Sequence, residues 1–165
     1  MKFWHFLIVS TFFIVSCDES ANDEIYNENN TNVSSGVVYD IDEKPINGLY
    51  RVYYPDGNIK MEIQSKDGKP NGVGKFYTPE GILYMQGMFT DGQADGAFYN
   101  YYPNGQIHNE MNYEKGVKAG SQKSYDENGK LTIEVLFEKG VATSGYMIIK
   151  GEKSEFGADE LEELN

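Results

Sequence analysis

The sequence has few of the residues that enzymatic and metal sites use. It contains one cysteine, Cys17, and two histidines, His5 and His108. A single cysteine excludes an intramolecular disulfide and a cysteine-based metal cluster. The sequence also lacks the Gly-x-Ser-x-Gly, His-Glu-x-x-His and Walker-type motifs. We therefore expect no enzyme activity, no metal and no cofactor, and we expect His108 to be a surface residue without a chemical role.

Basic side chains are also scarce. The chain has 14 lysines and arginines against 26 aspartates and glutamates, which gives a formal net charge of −12 at pH 7. Nucleic-acid backbones and anionic lipid headgroups are recognised by positive charge, so a surface this acidic repels both. The composition argues against a nucleic-acid partner and against direct contact with a membrane surface.

A run of about 20 apolar residues, which a membrane-spanning helix needs, is missing as well. The run Phe3–Val15 has 13 residues and follows a positive charge at Lys2, which is the layout of a secretory signal. The residues Ile14-Val15-Ser16-Cys17 resemble the lipobox of bacterial lipoproteins. That resemblance implies cleavage before Cys17 and attachment to the membrane only through a lipid on Cys17. It places the protein in the bacterial cell envelope, either periplasmic or surface-exposed.

The central feature is a unit of 24 residues that occurs four times without insertion, over 48–71, 72–95, 96–119 and 120–143. Its first and twenty-first residues are always glycine. The sixth is tyrosine (Tyr53, Tyr77, Tyr101, Tyr125) and the tenth is glycine (Gly57, Gly81, Gly105, Gly129). Self-similarity at a fixed period is typical of repeat arrays, in which each unit packs against its neighbours.

Each unit is predicted to be a β-hairpin. Apolar residues alternate with polar ones in its second half, and Pro55-Asp56-Gly57 in the first copy suits a tight turn. A three-residue turn with a glycine bulge pairs Tyr53 with Ile59 and places both on one buried stripe, whereas a two-residue turn pairs Tyr54 with Ile59. We favour the first register because it gathers the invariant positions. It also pairs Tyr77 with Leu83, Tyr101 with Ile107 and Tyr125 with Leu131.

Second connections join the hairpins and contain Asp67-Gly68, Asp91-Gly92, Lys115-Gly116 and Lys139-Gly140. We expect turns of about five to six residues there, and the change from aspartate to lysine argues against a repeating calcium site. A half unit over 37–47 and a closing strand over 146–150 complete the array. The predicted fold is all-β, an elongated antiparallel meander of stacked hairpins with about ten strands.

Four parts of the chain follow from these patterns. They are a signal peptide over 1–16, a lipidated N-terminus and disordered linker over 17–35, a repeat domain over 36–150 and an acidic tail over 151–165. The linker is rich in Asn, Asp, Glu and Ser, and such a segment buries too little apolar surface to offset its ordering entropy. We expect it to hold the repeat domain away from the membrane.

The units resemble the MORN repeat in its bacterial variant form. The resemblance rests on Gly-x-x-x-x-Tyr-Tyr-Pro-Asn/Asp-Gly-x-Ile/Leu followed by a strand and an Asp/Lys-Gly turn, and Gly96–Gly116 matches it best. The second copy departs at Thr78, and the fourth departs at 126–128. The resemblance implies stacked hairpins used for protein contacts or for organising complexes near membranes. Many bacterial members are labelled as antitoxin components, a label that fits a secreted chain as an immunity-type lipoprotein.

Function is expected where the copies differ. The sixth-position tyrosines are interpreted as core residues. Aromatic residues outside that position occur mainly in the first three copies and are expected to face the other way. Tyrosine is enriched at protein interfaces, so we take the following as candidate partner-binding residues: Tyr50, Tyr54, Tyr84, Phe98 and Tyr102. The expected function is a non-enzymatic scaffold that binds a protein partner.

The alternative is glycan or cell-wall binding. Aromatic hairpin repeats of similar length occur in choline- and carbohydrate-binding modules. Those modules typically carry tryptophan, and the one tryptophan of this chain, Trp4, lies in the predicted signal.

Overall fold

The computed structural model describes residues 25–34 and 36–162. The predicted signal peptide, Cys17 and the first part of the predicted linker lie outside the described residues. The elements are β1 (Ile25–Asn27), β2 (Thr31–Ser34), β3 (Val37–Asp40), β4 (Gly48–Tyr53), β5 (Ile59–Lys66), β6 (Lys69–Tyr77), β7 (Leu83–Thr90), β8 (Gln93–Tyr101), β9 (Ile107–Glu114), β10 (Val117–Lys118), β11 (Gly120–Tyr125), β12 (Leu131–Glu138), β13 (Val141–Ile149), β14 (Glu152–Gly157) and α1 (Ala158–Glu162).

Twelve of these strands form one sheet in the order β1-β4-β5-β6-β7-β8-β9-β11-β12-β13-β14, with β10 paired to β9. From β4 onwards every pairing is antiparallel and joins strands that are consecutive or nearly so in the chain. The predicted all-β meander of stacked hairpins is confirmed.

The hairpin turns have the predicted three-residue form. The main-chain N–H of Tyr54 donates to Asn58 O at 2.8 Å, and that of Gly57 donates to Tyr54 O at 2.9 Å. Gly57 has a φ of 89°, a left-handed conformation that glycine adopts without steric cost. The favoured register is confirmed in all four copies: Tyr53 pairs with Ile59, Tyr77 with Leu83, Tyr101 with Ile107 and Tyr125 with Leu131.

A one-residue register shift follows each of these pairs. In the first copy Tyr53 pairs with Ile59, but Val52 pairs with Met61, so Lys60 is an extra residue. Successive residues of a strand point to opposite faces, and the bulge therefore puts Ile59 on one face and Met61 on the other. Tyr53 and Ile59 share a face, as the favoured register predicted. The alternation of apolar and polar residues predicted one face for Ile59 and Met61, and that prediction is wrong because the bulge separates them.

The second connections are shorter than predicted. Lys66 pairs directly with Lys69, which leaves Asp67-Gly68 as a two-residue turn. Both residues have positive φ, 50° and 73°, as in the type I′ turn that matches the twist of antiparallel strands. The same turn recurs at each of the four connections, with Asp91, Lys115 and Lys139 at φ values of 48–50°. The second turn residue is Gly68, Gly92, Gly116 or Gly140, and its positive φ favours glycine at that position.

Main-chain hydrogen bonds connect successive copies at these two-residue turns. The turn glycine of each copy donates its N–H to a carbonyl 22 residues earlier, in the half unit for the first copy and in the preceding copy for the other three. The four bonds are Gly68 to Ile46 at 2.9 Å, Gly92 to Pro70 at 2.8 Å, Gly116 to Ala94 at 2.7 Å and Gly140 to Lys118 at 2.9 Å. Each copy is therefore tied to the preceding copy independently of its side chains.

The prediction of disorder over 17–35 is wrong for residues 25–34, which form β1 and β2. β1 pairs in parallel with β4, and the side chain of Tyr26 is 7% exposed. β1 thus pairs with the edge of the first repeat, and Tyr26 is buried there. β3 was predicted to begin the array, but it pairs with β2 in a separate two-stranded sheet. That sheet contacts the Asp67-Gly68 turn, where the main-chain N–H of Val38 donates to Gly68 O at 2.8 Å.

The acidic tail contains a strand that was not predicted. Its first residues form β14 against β13, and they continue into the short helix α1. Among the described residues, four hydrophobic side chains are buried: Tyr26, Ile46, Ile63 and Phe98. So few buried side chains indicate a sheet that no second layer covers, with most apolar side chains half-buried between neighbouring strands.

Candidate functional site

The sheet has a polar face and an apolar face, which we define by cross-strand pairs, since directly opposed residues share a face. One row on the polar face crosses ten strands with one residue from each. Its members are Arg51, Glu62, Lys75, Gln86, Tyr99, Glu110, Lys123, Glu134, Tyr146 and Glu155. We call this the polar row. Opposite charges are neighbours at several steps, so the row stabilises strand register.

Contacts around Glu62, between the first and second copies, illustrate the row. Arg51 Nε donates to Glu62 Oε2 at 3.2 Å, and Lys75 Nζ lies 3.9 Å from Glu62 Oε1. The Glu62 side chain is 17% exposed, so its charge is largely removed from water and matched by two cations. Cross-strand charge pairs of this kind contribute about 0.2–1 kcal/mol each.

The sixth-position tyrosines share the polar face and connect adjacent copies. Tyr77 Oη donates to Glu62 Oε1, and Tyr125 Oη donates to Glu110 Oε2, both at 3.0 Å. Burial, followed by the carboxylate bond, raises the pKa of each phenol to about 12. In the third copy the acceptor position is Gln86, and the phenol of Tyr101 has no hydrogen-bond partner among the described residues. The four rings are half-buried, so they are less enclosed than the predicted core.

A denser hydrogen-bonded cluster lies at the C-terminal end of the polar row. The carboxylate of Glu134 accepts bonds from Ser121 Oγ and from Tyr146 Oη, the latter at 2.8 Å. The Ser121 bond first, and then the Tyr146 bond, hold the pKa of Glu134 below its usual value. Lys153 Nζ lies 4.2 Å from the Tyr146 ring centroid and donates to Glu155 at 2.7 Å. Because Glu134 on β12 accepts bonds from Ser121 on β11 and Tyr146 on β13, it joins three of the last strands.

The apolar face carries two rows. The first row consists of Val52, Met61, Phe76, Met85, Asn100, Asn109, Ser124, Ile133, Met147 and Ser154. The second consists of Tyr50, Ile63, Gly74, Gly87, Phe98 and Met111, and resumes at Gln122, Val135, Gly145 and Phe156. The methionines are half-buried, and Ile133 is 38% exposed.

A polar patch interrupts the apolar face at its centre. Ser124 Oγ donates to Asn109 Oδ1 at 2.7 Å, and Asn100 is paired directly with Asn109. Nearby, the Nε2 atom of Gln122 is buried and has no hydrogen-bond partner within the described part of the chain. The face therefore combines flexible apolar side chains at both ends with hydrogen-bonding groups between them.

The candidate partner-binding residues occupy different environments. Tyr50 is on the apolar face and half-buried, and Tyr84 is 43% exposed. Tyr54 and Tyr102 are half-buried and hold copies together, since their phenols donate to the main-chain oxygens of Tyr77 and Tyr125 at 2.8 and 2.9 Å. The Tyr102 ring also stacks on the exposed ring of His108, with centroids 4.3 Å apart. The sequence could not indicate these carbonyl bonds, because the acceptors belong to the main chain.

Phe98 is not available to a partner, and its prediction as an exposed interface residue is wrong. Its side chain is 7% exposed. It lies over Gly87, where an added Cβ would come within 2.2 Å of the ring, and it makes edge contacts with Phe89 and Tyr113 at centroid distances of 5.2 and 5.1 Å. Glycine on the adjacent strand is the sequence signal for such a ring, which packs flat on bare main chain.

In the part of the chain that the structure describes, no three His, Cys, Asp or Glu residues are arranged to hold a metal ion. No helix among the described residues has the length and hydropathy to cross a membrane.

Solved structures resemble the chain weakly. The crystal structure of TarM matches with a TM-score of 0.30 and 14% identity, over 82% of this chain and 24% of that chain. An S. aureus TarM mutant in complex with fondaparinux, alpha-GlcNAc-glycerol and UDP matches with 0.29 and 13%, over 82% and 24%. A GtfA/B complex bound to UDP and GlcNAc matches with 0.27 and 15%, over 89% and 31%. This chain thus spans less than a third of each structure. No curated protein sequence matches it.

A family model for the MORN repeat variant matches the chain over residues 46–67, 94–115 and 118–139. The ranges share one phase. Each begins two residues before the first glycine of a copy and ends on the first residue of a type I′ turn. They cover the first, third and fourth copies, and the second copy between them has the same hairpin and turn geometry. Three of the four hairpin copies in this sheet thus match the MORN repeat variant.

Proposed function

We propose that this chain is a non-enzymatic lipoprotein of the bacterial cell envelope whose repeat sheet binds a protein partner through its apolar face. The observation that carries the proposal is the accessibility of that face. Met61, Met85, Met111 and Met147 are only half-buried in the folded chain. Val52, Met61, Phe76 and Met85 follow one another along one row of that face, and a contiguous accessible apolar surface typically marks an interaction site.

The chemistry of the face favours a protein over a small ligand. Methionine side chains are flexible and polarisable, and they adapt to irregular apolar partners. The central patch of Asn100, Asn109 and Ser124 adds hydrogen-bonding groups, as in protein interfaces that combine apolar and polar contacts. Unlike an enclosed cofactor cavity, the face is open along several repeats and suits a partner of comparable length.

Two adjacent residues of β7 provide a matched test, because Met85 and Gln86 point to opposite faces. A Met85→Glu variant places a charge on the apolar face, and Gln86→Glu places the same charge on the polar face. Membrane fractions of the host would be solubilised and passed over each immobilised full-length variant, and the proteins retained by the unmodified chain would be quantified. We expect Met85→Glu to reduce retention at least tenfold and Gln86→Glu to leave it unchanged.

Retention that survives Met85→Glu, or that is lost equally in both variants, would contradict binding through the apolar face. Purified cell wall is a parallel arm of the same experiment. Dose-dependent retention of cell wall without any protein would favour the glycan-binding alternative. Circular dichroism of both variants checks that the sheet remains folded.

The lipid anchor has its own test. In the unmodified chain we expect metabolic labelling with a fatty acid and recovery in the membrane fraction. A Cys17→Ser variant should lose both the label and the membrane association, and labelling that persists in this variant would refute the anchor. If the partner is a secreted toxin, the protein is of the immunity type, and the retained protein would be toxic to cells that lack this chain.

A further inference from the structure

The two ends of the main sheet are complementary in length and direction. β4 and β14 each contain six residues. Nine antiparallel steps separate them along the sheet, so β14 runs opposite to β4. A β14 placed beside the β4 of a second copy would therefore form one more antiparallel pair, and the meander would continue from one copy into the next.

The rows of both faces would also continue across that junction. The polar row ends in Glu155 on β14 and begins with Arg51 on β4. Aligning these two residues places Phe156 opposite Tyr50 and Ser154 opposite Val52. The alignment joins a carboxylate to a guanidinium on the polar face and an aromatic ring to an aromatic ring on the apolar face, which are favourable cross-strand pairs.

In the single chain this edge of β4 is occupied. The segment Ile25–Glu28, which we call the strap, pairs its first three residues in parallel with 49–51. Tyr26 anchors the strap with 7% exposure, and Glu28 Oε1 accepts a bond from the main-chain N–H of Tyr53 at 3.2 Å. The strap covers half of the six-residue edge with parallel pairing, whereas β14 in this alignment could pair with residues 49–53, five of the six, in antiparallel fashion.

We infer that the β4 edge is a docking site for β14 of a second copy, and that the strap closes this site in the single chain. The contact is heterologous, because the two edges are different surfaces. Repetition of a heterologous contact without ring closure produces an open chain of copies. Release of the strap therefore converts separate molecules into a continuous sheet. This inference concerns the sheet edges and is independent of the proposed binding through the apolar face.

The test releases the strap by substitution in the full chain. A Tyr26→Ser, Glu28→Ala double variant removes the buried ring and the carboxylate acceptor. Sedimentation in detergent should show single copies for the unmodified chain and a mass that rises with protein concentration for the double variant. Tyr84→Ser, which removes an exposed ring, is the matched control and should remain a single copy.

Two further measurements separate edge pairing from nonspecific aggregation. Glu155→Arg in the strap variant should shift assembly to higher concentration, because the new cation would face Arg51, whereas Glu152→Arg makes the same charge change outside the matched pairs and should not. Excess unmodified chain should shorten the assemblies, because it can add its β14 but presents a covered β4. A strap variant that stays a single copy at all concentrations, or assemblies indifferent to both Glu155→Arg and unmodified chain, would overturn the inference.

Discussion

The phenol of Tyr77 donates a 3.0 Å hydrogen bond to the carboxylate of Glu62, a residue of the preceding copy on the adjacent strand. The third and fourth copies reproduce this contact between Tyr125 and Glu110, also at 3.0 Å. It joins the most regular aromatic position of the repeat to the polar row. The invariant tyrosine thus contributes a directed bond between copies in addition to apolar contact area.

Removing that bond should destabilise the array measurably. We expect Tyr77→Phe to lower the free energy of unfolding by about 1 kcal/mol, since it deletes one hydrogen bond to a charged group that keeps its two cationic neighbours. Tyr101→Phe is the matched control, because the Tyr101 phenol has no hydrogen-bond partner among the described residues, and it should be nearly neutral. Urea unfolding followed by circular dichroism measures both. Equal losses would show that the bond is not the source of the effect.

Stability should fall in alkaline solution. Burial and the carboxylate bonds raise the pKa of Tyr77 and Tyr125 to about 12 from an ordinary value of 10.0. A raised pKa means that the folded state holds the proton more tightly, so the stabilisation is complete below pH 10 and is lost as pH rises towards 12. Urea midpoints measured between pH 9 and 12 should decline. In the Tyr77→Phe, Tyr125→Phe double variant we expect a shallower decline, and an unchanged slope would contradict this assignment.

The close approach of Phe98 to Gly87 predicts a large effect from one methyl group. An added Cβ at Gly87 would lie 2.2 Å from the ring, so Gly87→Ala must displace Phe98 and should cost about 1–3 kcal/mol. Gly157→Ala is the control, because that glycine has no atom within 4 Å of an added Cβ and no left-handed φ. Thermal unfolding would compare the two variants, and a neutral Gly87→Ala would show that the ring has room to move.

The type I′ turns predict a stabilising substitution. Lys115 has a φ of 48°, and asparagine tolerates this conformation better than lysine does. We expect Lys115→Asn to raise the free energy of unfolding by about 1 kcal/mol or less. Its main-chain bond from N–H to Asp95 Oδ1, at 3.2 Å, does not depend on the side chain. Lys130→Asn makes the same chemical change outside a left-handed position and should not stabilise. An equal increase in the free energy of unfolding for Lys130→Asn would show that the effect comes from the loss of a positive charge.

Local turn chemistry made much of the fold predictable. Pro55 and Gly57 define a turn whose geometry fixes the pairing of Tyr53 with Ile59, and the 24-residue period carries that pairing through the other copies. The second connections were predicted to be too long. Asp67-Gly68 is a pair that suits a two-residue type I′ turn, but the positive φ of Lys115 at the equivalent position is imposed by the strands on both sides and has no local signal.

The candidate site was less predictable, because the faces depend on an extra residue rather than on residue type. Lys60 contributes no distinctive side-chain pattern, but its insertion transfers Ile59 to the polar face. Phe98 was expected on the surface for its irregular position, and a glycine on the adjacent strand determines that it is buried. The strap could not be foreseen either, since Tyr26 gains its buried position only when the edge of β4 already exists.

The four main-chain bonds between turn glycines and the preceding copies have a consequence for how this protein can change. Because donor and acceptor are both backbone atoms 22 residues apart, any whole unit inserted or deleted by recombination restores the same bond at the new junction. The number of copies can therefore vary while the two ends of the sheet stay the same. The length of the sheet can thus change in steps of one 24-residue unit, whatever side chains each copy carries on its two faces.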